Sequence, residues 1–159
     1  MSGQLLIAGI VVDILWITDQ LIKHYFITHP EVNWGVFDFL SFHLVTNSGI
    51  AFGIILPSPV VVSSTVIILA LVGGLLWQAY RQHQAVLLWG LTLIFGGGVS
   101  NLLDRIFYRQ VVDYIDVSFF TVFNIADILI SVGVGLLLVF FLRSSRRPRQ
   151  VDNSTLHSA

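Results

Sequence analysis

The 159-residue chain contains no cysteine. That excludes disulfides, thiolate catalysis, Cys-ligated zinc, iron–sulfur clusters and lipidation of its own thiols. Charge is nearly as scarce. Nine acidic and eight basic residues make up 11% of the sequence, against 55% hydrophobic, and mean hydropathy is +0.85. A soluble domain carries about a quarter charged residues because something must face water. A net charge of −1 provides no basic face for nucleic acid. The composition belongs in a bilayer.

Four apolar runs are long enough to cross roughly 30 Å of hydrocarbon, which takes about 20 residues. They extend from about Leu5 to Phe26, Val60 to Trp77, Ala85 to Leu103 and Thr121 to Leu142. No basic residue precedes the first run and no small-residue cleavage site follows it, so it is expected to persist as a span. The expected fold is an all-α membrane protein, a four-helix bundle with a small β-sheet on its outer surface. Residues 1–143 form its single domain and 144–159 a disordered basic tail on the cytoplasmic side.

Lys and Arg in the connections set the orientation. The segment from His29 to Pro59 has neither, whereas Arg81 follows the second span and Arg143, Arg146, Arg147 and Arg149 follow the fourth. Both termini are therefore expected in the cytoplasm. Arg105 and Arg109 conflict with this arrangement. In the segment of about residues 30–57, Asn33-Trp34-Gly35 and Asn47-Ser48-Gly49 are turn signals, and the run between them is rich in strand formers. Its aromatic residues suit the membrane–water interface.

An ionisable side chain in or near the membrane is expensive and a functional candidate by default. Asp19 and Lys23 lie four apart, in the favourable order for an ion pair, and one reading makes them an anchor near the outer interface. Asp13 lies deeper and has no partner within a turn. Asn101, Asp104 and Arg105 project from one helical face, and one reading has Asp104 neutralise Arg105 and Asn101 join two helices. Ahead of them, Gly96-Gly97-Gly98 lets another backbone come close. Ser48, Ser100 and Ser131 show no nearby base, and the five histidines show no ligand spacing. No metal or cofactor is expected.

Asn124 and Asp127 fit the N-cap and third position of the fourth helix. That accounts for one carboxylate but leaves Asp113, in apolar Val111-Val112-Asp113-Tyr114-Ile115, unexplained. Asp113 and Asp127 are 14 residues apart (127 − 113), enough chain to turn and bring the two carboxylates together. Such a pair shares one proton, as an aspartyl hydrolase requires. A proton-coupled transporter would hold its acids near the midplane. A structural subunit would need no pair.

Five segments resemble those of signal peptidase II, the bacterial lipoprotein signal peptidases. They are Thr18-Asp19-Gln20-Leu21-Ile22-Lys23, Thr46-Asn47-Ser48-Gly49-Ile50-Ala51-Phe52, Gly97-Gly98-Val99-Ser100-Asn101-Leu102-Leu103-Asp104-Arg105, Val111-Val112-Asp113-Tyr114-Ile115 and Phe123-Asn124-Ile125-Ala126-Asp127. The resemblance implies a monomeric intramembrane aspartyl endopeptidase of the bacterial inner membrane. It would cut prolipoproteins before a diacylglyceryl-modified Cys, with membrane lipid around it and no nucleic acid. Asp113 and Asp127 would be catalytic. Asn47, Gly49, Asn101, Arg105 and Asn124 would line or brace the substrate site, and Asp19, Lys23 and Asp104 would support it. The chain between the two aspartates looks shorter than in some relatives, which bears on the second outer loop.

Overall fold

The computed structural model describes residues 2–49 and 56–145. The order is α1 (Ser2–Thr28), β1 (Asn33–Phe37), β2 (Leu40–Asn47), α2 (Ser58–Arg81), α3 (Ala85–Tyr108), β3 (Val111–Val117) and α4 (Ile125–Ser145). All four helices are long and apolar enough to cross a membrane. Their exposed faces carry Leu, Ile, Val and Phe, the surface that lipid tails accept. Of the expected tail, Ser144 and Ser145 belong to α4 instead, and the rest from 146 onward, like Ile50-Ala51-Phe52, lies outside the described residues.

Helix α3 is the centre, with α1, α2 and α4 packed on it. Glycine makes the tightest approach possible. A Cβ on Gly97 would collide with the Ala126 carbonyl and Ile130, and one on Gly133 with the Gly90 carbonyl. In lipid, where tails are as apolar as Leu, such backbone approach supplies much of the association. The glycine run thus does what its composition implied.

The sheet differs from expectation in its membership. β1 and β2 pair antiparallel within the segment between α1 and α2, and β3, from beyond α3, adds a third strand alongside β2. Arg109, in the left-handed conformation at φ 66°, ends α3 and turns the chain into β3. The apolar Val-rich segment carrying Asp113 is thereby fixed to the same sheet as Asn47. Helix α4 begins four residues later than its hydropathy suggests, because Asn124 caps it. Asn124 Oδ1 accepts the Asp127 N–H at 2.9 Å and Asp127 Oδ2 accepts the Asn124 N–H at 3.3 Å, the reciprocal pattern of a capping box.

One buried cation ties these parts together. Lys23 Nζ lies 2.7 Å from Asp19 Oδ2 and 2.8 Å from Asp104 Oδ2. All three residues are 1% exposed or less. The pair of Asp19 and Lys23 is therefore no interfacial anchor; it sits between helices. Each carboxylate also accepts a backbone N–H from a neighbouring element. Asp104 Oδ2 takes Val112 N–H at 3.2 Å and Asp19 Oδ1 takes Ile125 N–H at 3.1 Å. Asp104 answers Lys23, not Arg105 as its adjacency in sequence implied.

Removing the cation alone should be costly, since a buried pair broken on one side loses about 3–5 kcal/mol. Lys23→Met is expected to lower the thermal unfolding temperature in detergent clearly. Adding Asp104→Asn to that variant should recover part of the loss, because one uncompensated charge is gone. An unfolding temperature unchanged by Lys23→Met would show that the cluster is hydrated and contributes little.

Candidate active site

After β3 the chain turns at Val117–Phe120 and runs back beside the strand it has just left. Ile115 and Phe123 exchange backbone hydrogen bonds at 2.9 and 3.0 Å. This return sets Asn124 against Asp113 and starts α4 so that Asp127 points to the same place. The spacing of 14 residues is thus one tight reversal.

The amides of three asparagines surround the two carboxylates. Asp113 Oδ2 accepts from Asn47 Nδ2 at 3.2 Å, and its Oδ1 from Asn124 Nδ2 at 2.8 Å. Asp127 Oδ1 accepts from Asn101 Nδ2 at 2.8 Å. Asn124 therefore reaches both acids, its side-chain amide donating to the Asp113 carboxylate and its backbone N–H to the Asp127 carboxylate, while its Oδ1 takes the Asp127 N–H. Asn101 is oriented in turn by Lys23, whose Nζ reaches its Oδ1 at 3.2 Å. No cation bonds directly to either carboxylate among the described residues.

Asp113 is 2% exposed. Burial, followed by the neighbouring Asp127 charge, pushes its carboxyl up to about 6, against the lowering effect of Asn47, Asn124 and Lys23. A carboxyl held there is poised to exchange a proton under mild conditions. Both acids line a cavity of about 1230 Å3. One wall is the β2 end with Asn47 and Gly49, another is Asn101 and Arg105 of α3. The remainder is Phe119, Phe120 and the Ile128–Val132 face of α4. Its polar groups thus lie beside an apolar strip that continues down α4.

Arg105 belongs to this wall and holds backbone. Its Nη1 donates to the Asn101 carbonyl at 3.2 Å and its Nη2 to the Gly49 carbonyl at 3.4 Å. Gly49 N–H donates to Asn47 Oδ1 at 3.0 Å. The Asn47–Gly49 turn is thus clamped from α3, which orients the Asn47 amide on Asp113. Asn47, Gly49, Asn101, Arg105, Asn124, Asp113 and Asp127 come together in one place, and Asp19, Lys23 and Asp104 lie behind it.

Sequence reasoning fell short at several residues. Ser100 is not without acid and base: its Oγ donates to Asp19 Oδ2 at 2.7 Å, and Lys23 Nζ lies 3.4 Å away. Ser100 is nonetheless wholly buried, and Lys23 is committed to two carboxylates, so the trio has neither access nor a free amine. Gln20, whose Nε2 reaches Ser100 Oγ at 2.8 Å, and Tyr114 join the same network. Both lie inside the segments already singled out, and polarity within an apolar run was the available signal. Asp116 accepts a long bond from Ser41 Oγ, at 3.4 Å, and does not line the cavity. Asp13 is exposed on α1 and stays apart from the site.

Comparison with known proteins places this geometry. The family model described as signal peptidase (SPase) II matches residues 11–143. The chain is 35% identical over 147 residues to the lipoprotein signal peptidase of Aquifex aeolicus, covering 87% of this chain and 85% of that one. It is 34% identical to that of Clostridium novyi over 92% of this chain and all of that one. Among solved structures, it is similar to a bacterial membrane enzyme determined by the in meso method at 2.3 Å resolution. The TM-score there is 0.75 and the identity 26%, over 94% of both chains. With a match that spans all four helices and the sheet, the chain belongs to the signal peptidase II family of lipoprotein signal peptidases.

Proposed function

We propose that the chain is an aspartyl endopeptidase that removes signal peptides from prolipoproteins, with Asp113 and Asp127 as its catalytic pair. The observation that carries the reading is that Asn124 donates to both carboxylates at the wall of one cavity, its side-chain amide to Asp113 Oδ1 and its backbone N–H to Asp127 Oδ2. Two carboxyls that close in a partly dry site hold one proton between them and titrate as a unit. The ionised member takes a proton from water as the water oxygen attacks the scissile carbonyl. The protonated member gives its proton to the carbonyl oxygen, forming a neutral tetrahedral diol. When the C–N bond breaks, the amine leaves with a proton from the first member, and the diol returns its own to the second.

The substrate fits the cavity's two characters. A diacylglyceryl Cys would be held at the interface by two chains, enough for stable anchoring. Its acyl chains would follow the apolar strip of Phe119, Phe120, Ile128 and Val132, while the peptide meets the asparagines. Arg105 and the Asn47–Gly49 turn would brace the peptide backbone. Both termini lie in the cytoplasm and the site at the outer face, by the arginine-rich end and the Lys- and Arg-free first segment.

Asp113→Asn and Asp127→Asn keep the shape but cannot move a proton. Each should lower turnover of a diacylglyceryl peptide by at least about 100-fold while the protein folds and inserts. The double variant should be no worse than either single one. Asp116→Asn should retain most activity. If Asp127 served only to cap α4, its replacement would cost at most about 1 kcal/mol of helix stability and leave turnover intact. Substantial turnover in either single variant, free of wild-type contamination, contradicts the aspartyl reading.

The acid pair also fixes a pH dependence. The free enzyme needs one carboxyl protonated and one ionised, so kcat/KM is expected to be bell-shaped. It should fall as pH rises through loss of the shared proton, at about the value of 6 to which Asp113 is pushed. A rate that keeps rising well beyond that value would point to a base other than these carboxylates. For orientation, a Cys placed at Ser48 should be labelled by an impermeant thiol reagent on intact cells. Labelling only after permeabilisation would reverse the placement of the site.

A further inference from the structure

Tyr114 follows Asp113 in β3, so the pleat sends its side chain to the opposite face. There it is 1% exposed and its ring stacks on Phe26, with centroids 5.8 Å apart. Its hydroxyl donates to Asp19 Oδ1 at 2.9 Å and accepts the Ile125 N–H at 3.3 Å. Ile125 stands two residues before Asp127. The phenol thus runs from the residue after one catalytic acid to the residue two before the other. On its other side, Asp113 is preceded by Val112, whose N–H is held by Asp104.

We infer that the Tyr114 hydroxyl is a positioning residue that sets the separation and aim of the Asp113–Asp127 pair, an inference that rests on the aspartyl reading above. A phenol has two side-chain torsions and a rigid ring, so a hydroxyl fixed at its tip fixes the strand that bears it. The β2–β3 ladder and the Ile115–Phe123 bonds hold the strand's main chain, but the ladder's register slips between Phe42 and Val45, opposite Tyr114, so with the tip released β3 can rotate locally there. Asp113 projects from the opposite face and would swing with that rotation. Burial and the adjacent Asp19 charge raise the phenol's pKa, which keeps it a neutral donor to that carboxylate.

The test is Tyr114→Phe, which deletes the hydroxyl and keeps the ring. The assay is turnover of a diacylglyceryl peptide by the full chain in detergent or bilayer. kcat should fall about tenfold with KM unchanged, the pattern of a misaimed group that acts only in the transition state. The pH–rate bell should narrow as well, because two carboxyls held less closely couple less and their apparent pKa values converge. Phe26→Leu, which removes the stack and leaves the hydroxyl, should lower the unfolding temperature without narrowing the bell. A Tyr114→Phe bell as wide as wild type, or kcat within twofold of it, overturns the inference. So does equal narrowing in Phe26→Leu, which would assign the effect to the ring. A wild-type rate that is flat through the carboxylate range would instead fail the aspartyl reading itself.

Discussion

The architecture depends on one ammonium group placed where water cannot help it. Lys23 Nζ is within 2.8 Å of both Asp19 and Asp104, and the three are buried. Charges in such a place must be paired and their remaining hydrogen-bonding capacity filled. Filling it reaches beyond the helices. Asp104 spends its second interaction on the strand just before Asp113, and Asp19 spends its own on the start of α4 just before Asp127. The electrostatic demand of a single lysine thereby locates both candidate catalytic segments relative to α1 and α3.

Around the pair itself the protein uses neutral groups. Asn47, Asn101 and Asn124 donate amide hydrogens without adding charge, so the acids are oriented and not driven to ionise by a bonded cation. Lys23 stands one residue removed, acting through the Asn101 amide. A direct ion pair would hold a carboxylate too firmly to accept and return a proton. Burial then raises Asp113 to about 6, a range in which both protonation states are accessible. Arg105, the one guanidinium at the cavity wall among the described residues, bonds two backbone carbonyls in a role that shapes the turn.

Much of this was readable in the sequence. The spans follow from hydropathy, and the pairing of Asp113 with Asp127 follows from finding two acids on one side with room for a reversal between them. The N-cap at Asn124 and the close approach at Gly97 are local signals, and local signals survive folding. What the sequence did not disclose are interactions between distant segments. Asp104 and Arg105 are adjacent, yet a helix points them apart, and the partner of Asp104 lies 81 residues away (104 − 23) at Lys23. The union of β3 with the segment between α1 and α2 and the acid beside Ser100 are of the same kind. Hydropathy also blurred the start of α4, because Thr121–Phe123 are as apolar as the helix that follows.

The central claim is that the two carboxyls share a proton, and infrared spectroscopy can see that proton without substrate. Difference spectra between wild type and each Asp→Asn variant, taken across a pH titration, isolate the carboxyl C=O band of the pair. The account predicts one protonated carboxyl that loses its proton at about pH 6 in wild type. Removing Asp127 should move the titration of Asp113 to lower pH, since its charged neighbour is gone. Two carboxyls that titrate independently, with the band of one unmoved by substitution of the other, would contradict it.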